Sequence, residues 1–135
     1  MSINRSVAVV VVSLVFVMLG GVVSAAHHSR TGYEDELTVT LTGVVQEFRW
    51  RNPHTFLVWT VTDENGNEVE WAGEMLSIQT VTSWGLTRRS FEPGDEVTVT
   101  AFPATRGAPI GIIQKVVMAA DGKVVVDQTR DEAFR

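Results

Sequence analysis

The sequence predicts an all-β domain with one short helix, arranged as a small OB-like five-stranded Greek-key barrel. Three observations lead there. Apolar residues alternate in short runs from Leu37 onward, which is the period of half-buried strands. Turn pairs punctuate those runs at Asn65-Gly66, Pro93-Gly94 and Asp121-Gly122. One stretch after the third run shifts to helical spacing. The order is strand, strand, strand, helix, strand, strand, with a short hairpin extension at the end, and this is the order of an OB-type barrel. A lipocalin-like barrel needs more strands, and an immunoglobulin-type sandwich lacks the mid-chain helix.

Leu37, Val39 and Leu41 alternate with threonines and open the first strand. At Gly43 the apolar parity switches to Val44, Gln46, Phe48 and Trp50, so a bulge or bend in one long strand is expected at that glycine. Asn52-Pro53 ends the strand, because proline withholds a ladder donor and keeps its predecessor extended. Thr55 to Thr62 is the second strand, with Leu57, Trp59 and Val61 on one face. Asp63 to Asn67 forms a tight turn, and Glu68 to Gly73 returns with Val69 and Trp71 alternating against glutamates. Across Glu74 to Leu86, Met75, Ile78, Val81 or Thr82, and Leu86 fall at roughly helical spacing, with Ser77 as a cap and Gly85 as a stop. Arg88-Arg89 follow, where basic side chains favour the helix C-terminal dipole; anion binding is the other use of the pair. Strands are expected at Glu96 to Phe102, Ile110 to Met118 and Val124 to Asp127.

The chain has 135 residues and a formal net charge of −5, enough for one domain. Residues 1–26 read as a secretory signal: Arg5 in a short charged start, an apolar run from Val7 to Leu19, Gly20-Gly21, then Ser24-Ala25-Ala26. The rival reading is an uncleaved anchor, since Val7 to Ala26 just suffices to span a bilayer; the double glycine and small residues favour cleavage. The expected organisation is a signal at 1–26, a polar arm at 27–36, the barrel at 37–128 and a loose tail at 129–135. The expected location is periplasmic or secreted, with no membrane attachment after cleavage. Removing 26 residues from 135 takes away one basic residue and no acid, leaving 109 residues at a net charge of −6. That balance disfavours nucleic acid and anionic lipid as partners. There is no cysteine, so disulfides, thiolate metal sites and cysteine catalysis are excluded.

The chemistry that remains rests on three histidines, His27, His28 and His54. Cleavage after Ala26 places His27 at the amino terminus. There the amine and ring together chelate a metal, and a second imidazole from His28 or His54 completes a nitrogen-rich site suited to copper(II). Cleavage one residue earlier puts a histidine third, which binds copper(II) or nickel(II) in a square plane of amine, amides and imidazole. Glu74 is a candidate oxygen ligand or the hydrogen-bond partner of a metal-bound imidazole. The plainer alternative makes His27-His28 a solvated terminus and His54 a turn residue. No Ser-His-Asp order, phosphate loop or metalloprotease motif is present, so no catalytic residues are assigned and an enzyme is not expected. Trp59 and Trp71 match the inward parity and are expected in the core. Trp50, with Asn52 and Phe56, forms an alternative ligand face, and Arg49 and Arg51 flank that tryptophan in the sequence, a pairing open to cation–π contact.

Several segments also resemble a known family. His27-His28-Ser29, Leu41-Thr42-Gly43-Val44-Val45, Trp50-Arg51-Asn52-Pro53-His54, Trp71-Ala72-Gly73-Glu74 and Pro93 to Val99 are similar to those of small exported bacterial proteins catalogued as a domain of unknown function. The most specific marks are the N-terminal His-His-Ser and the central Asn-Pro-His. The resemblance implies export and a small β-barrel, and it implies no activity. The functional expectation is therefore an exported, non-enzymatic binding module for copper or another transition metal. The alternatives are a cell-envelope module with a protein partner and a small-ligand binder without metal.

Overall fold

The computed structural model of the protein describes residues 32–34 and 36–129. Within them lie β1 (Val39–Arg49), β2 (Phe56–Thr62), β3 (Glu68–Glu74), α1 (Ile78–Ser83), β4 (Glu96–Pro103), β5 (Ile110–Met118) and β6 (Val124–Asp127). The sheet order is β3-β2-β1-β4-β5-β6, and a further β3–β5 pairing closes five of the strands into a barrel. All pairings are antiparallel except β3–β5, which is parallel. This is the small OB-like barrel expected from the element order, with β6 as the hairpin extension.

The parallel seam is short: Ala72 faces Ile110, Gly73 faces Gly111, and Glu74 faces Ile112. Two glycines meet there because the space is already taken. A Cβ on Gly73 would lie 2.5 Å from the Ile113 side chain, and one on Gly111 would lie 2.8 Å from the Phe102 carbonyl oxygen. The core inside the closed barrel is made by inward residues of every long strand, including Val45, Leu57, Trp59, Val97, Val99, Ile113 and Val116, each no more than 1% exposed. Burying each large aliphatic or aromatic side chain contributes about 1.5–3 kcal/mol.

β1 differs from its expected form in two ways. It starts at Val39, leaving Leu37 outside the strand and 61% exposed. Its bulge falls between Val45 and Glu47 rather than at Gly43. The inward parity runs on through Gly43 to Val45, while Val44 is 41% exposed. Gly43 looks like a break in the sequence because its inward space is filled from the neighbouring strand. A Cβ there would stand 2.1 Å from the Thr60 carbonyl oxygen and 2.9 Å from Trp59 Cδ1. The bulge after Val45 then turns Phe48 and Trp50 toward the core cluster.

The helix occupies only six residues of the expected Glu74 to Leu86. Pairing with β2 persists to Glu74, and Met75 N–H still donates to the Thr55 carbonyl at 2.9 Å, so the chain stays extended there. Ser77 caps α1, its Oγ accepting from Thr80 N–H. At the other end the N–H groups of Gly85 and Leu86 donate to the carbonyls of Thr82 and Val81. The backbone thus supplies the cap, and no basic residue lies in the last turn, so Arg88 and Arg89 do not take the capping role read from the sequence. Val81 rather than Thr82 points inward, fully buried, together with Met75 and Leu86.

Candidate functional site

The site is built where β2 begins, β3 ends and the N-terminal arm meets the barrel. Phe56 pairs with Glu74 as the last rung of the β2–β3 ladder. Backbone bonding continues past that rung. Thr55 N–H and Thr55 Oγ–H both donate to the Leu76 carbonyl, at 3.1 and 3.0 Å. With Thr55 fully buried and clamped in this way, His54 and Glu74 are held side by side. His54 Nδ1 pairs with Glu74 Oε1. A carboxylate can only accept, so the imidazole proton sits on Nδ1, and in the neutral ring the lone pair resides on Nε2.

The second oxygen of Glu74 serves another partner. Tyr33 Oη–H donates to Glu74 Oε2 at 3.4 Å. Tyr33 belongs to the arm, which lies along the end of β4. Tyr33 bridges Ala104, Glu34 N–H donates to the Pro103 carbonyl at 2.9 Å, and Thr105 N–H donates to the Gly32 carbonyl at 2.8 Å. Burial pushes the Tyr33 phenol above its usual range, and the charge and hydrogen bond of Glu74 push it further. One carboxylate thus joins the arm to the Asn-Pro-His turn. Tyr33 was hidden in the sequence by its polar surroundings; the available signal was that it is the only tyrosine, a lone aromatic in an otherwise polar arm.

The turn itself is braced from α1. The Asn52-Pro53 peptide bond is cis. Asn52 Oδ1 accepts from Ile78 N–H at 3.0 Å. The His54 ring borders an open hollow of about 390 Å³ shared with Asn52, Pro53, Leu76, Ser77, Gln79 and Thr80.

The remaining site residues fall as follows. His27 and His28 lie outside the described residues. Among the described residues no three His, Cys, Asp or Glu side chains gather closely enough to hold a metal ion; His54 and Glu74 alone come together. On the alternative ligand face, Trp50 is half-buried and packs edge-on against Phe48 at 5.5 Å, which in turn meets Phe91 at 5.1 Å. Arg49 pairs with Glu47 at 2.7 Å. Phe56 is half-buried, and Asn52 is exposed but engaged with α1. Trp59 and Trp71 stack at 6.1 Å, the first wholly buried and the second half-buried against the core.

Neither the curated proteins nor the solved structures contain a match to this chain. A family model does match, over residues 15–114, which is well over half of the chain and takes in β1 to β4, α1, most of β5 and the whole His54–Glu74–Tyr33 cluster. The chain belongs to the Family of unknown function (DUF6152).

Proposed function

We propose that the protein is an exported, non-enzymatic binding module that holds a transition-metal ion, copper(II) by preference, between its N-terminal histidines and His54. The observation that carries this reading is the shared carboxylate of Glu74, bonded to His54 Nδ1 on one side and to the arm's Tyr33 on the other. A metal-binding imidazole characteristically gives its other N–H to a carboxylate, which orients the ring and raises its basicity. With Nδ1 so engaged, Nε2 is the nitrogen that would take the ion.

The bond from Tyr33 to Glu74 supports a second contribution from the arm. Gly32 is pinned against Thr105, and four residues of chain from Gly32 to His28 reach at most about 14 Å. Export, read from residues 1–26, would free the amine of His27 as a further nitrogen donor. His54 and Glu74 alone do not make a site, so the reading requires the arm. A set of nitrogen donors with no thiolate favours copper(II) over copper(I).

The test is a copper(II) titration of protein exported and processed by a bacterial host, followed by EPR, with intact mass fixing the N-terminus. One-to-one binding, with nitrogen hyperfine structure that changes in His54→Ala, is the expected result. Binding that is unchanged in His54→Ala would reduce the site to an isolated terminal chelate. Absence of tight binding would turn the assignment toward an envelope interaction module.

A further inference from the structure

A second hollow, of about 460 Å³, lies between the end of α1 and the β5–β6 hairpin. Its walls are Trp84, Leu86, Met118, Val124 and Val125, which are apolar, and its cations are Arg89 and Lys123. Trp84, Met118 and Val125 are half-buried and pack on the core cluster, so this apolar wall is rigidly supported. The two cations are exposed, and neither side chain is held by an acid among the described residues, where the ion pairs are Arg49–Glu47 and His54–Glu74. Asp121, the acid of the hollow, uses Oδ1 to accept the backbone N–H of Lys123. Ser90 is likewise occupied, its Oγ accepting from Thr87 N–H. The duty that the sequence suggested for Arg89, capping α1, is performed by the backbone of Gly85 and Leu86.

Two cations against one acid leave the hollow a lining charge of +1, beside an aromatic and thioether wall, in a chain whose net charge is −5. A local excess of positive charge facing an open space favours an anion there. The hollow is within the volume range of small-molecule sites; its exposed lining is more polar than is usual for them, and its apolar side chains form one wall.

We propose that this hollow binds a small organic anion with an apolar, flat body, of the aromatic carboxylate or sulfonate class. The body lies against Trp84, Met118 and Val125, and the anionic group sits between Arg89 and Lys123. Arginine contributes a planar fork that matches a carboxylate or sulfonate, and lysine contributes a point charge. The inference is independent of metal binding by His54.

The test uses the full processed chain and two probes of nearly equal shape, 1-anilinonaphthalene-8-sulfonate and the uncharged N-phenyl-1-naphthylamine. The expected result is saturable one-to-one binding of the sulfonate, at least about tenfold tighter than the uncharged probe. Arg89→Gln/Lys123→Gln is expected to weaken sulfonate binding about tenfold while leaving the far-UV and near-UV circular dichroism unchanged. Both replaced side chains are exposed, so the fold tolerates the change. Three results would overturn the proposal: no saturable sulfonate binding, equal affinity for the two probes, or equal sulfonate affinity in the double variant.

Discussion

Tyr33 and Glu74, 41 residues apart, meet through Oη and Oε2 at 3.4 Å, and through that contact the arm is tied to the end of β3. Because Tyr33 is the only tyrosine, phenolate absorbance reports on this contact alone. Burial, then the Glu74 charge, then its hydrogen bond raise the pKa. In metal-free protein the absorbance midpoint is expected above the ordinary value of about 10. Glu74→Gln should bring it partway down, since burial remains. A group raised in the folded state stabilises fully below its unfolded value, and that contribution is lost as pH rises through the folded one. Arm docking should therefore weaken in strong alkali, and a midpoint at the ordinary value would mean that the arm is undocked.

Asp63 contributes on the acid side. Its carboxylate lies below the usual range because it accepts from the Asn67 side chain and from the backbone N–H groups of Asn67, Asn65 and Gly66. A depressed carboxylate stabilises above its unfolded pKa, and that stability is lost as pH falls through the folded value. Urea midpoints measured from pH 7 down to pH 2.5 should fall more steeply in the native protein than in Asp63→Asn. Parallel curves for the two proteins would remove the turn from the acid response.

Gly43 and Gly66 should respond to alanine for opposite reasons. At Gly43 the new methyl meets the Thr60 backbone at 2.1 Å, and a paired strand cannot step aside cheaply. The expected loss is about 3 kcal/mol, the upper part of the overpacking range. At Gly66 nothing lies within 4 Å, but φ is +83°, so only backbone strain of about 1 kcal/mol is expected. Denaturant unfolding of both variants tests the order; equal losses would mean that β1 and β2 separate to admit a side chain.

Asn52→Ala removes the acceptor of Ile78 N–H, and Ser77→Ala removes the acceptor of Thr80 N–H. Each loss resembles deletion of a helix cap and should cost about 0.5–1 kcal/mol. If Asn52 served only as part of an exposed ligand face, its replacement would leave the unfolding midpoint unmoved.

The barrel was legible because β-period alternation and turn pairs are local signals, and strand ends from β2 to β6 fall within about one residue of where those signals place them. The bulge reads as lying at Gly43 because an inward glycine filled by Trp59 from β2 looks the same in one dimension as a parity switch. The helix reads longer in the sequence than it is because Met75 keeps apolar spacing while its backbone still pairs with Thr55. At the site, His54 and Glu74 could be singled out by residue type. Their adjacency comes from the β2–β3 register and the Thr55 clamp, and the part of Tyr33 comes from an arm-to-β4 bridge that no local pattern encodes.

The closing seam has a kinetic consequence. Three parallel rungs join β3 to β5, against seven pairs in each of the neighbouring long ladders, β2–β3 and β4–β5. Parallel pairing is also the slightly weaker kind. Backbone amides at these rungs should exchange with deuterium through local opening, well before those of Val97 and Val99 on β4, which need global unfolding. Glu74 is itself a rung of the seam, so each such opening also moves the carboxylate that joins Tyr33 to His54. The arm's grip on the turn can last only as long as the barrel stays shut, and the two should loosen together.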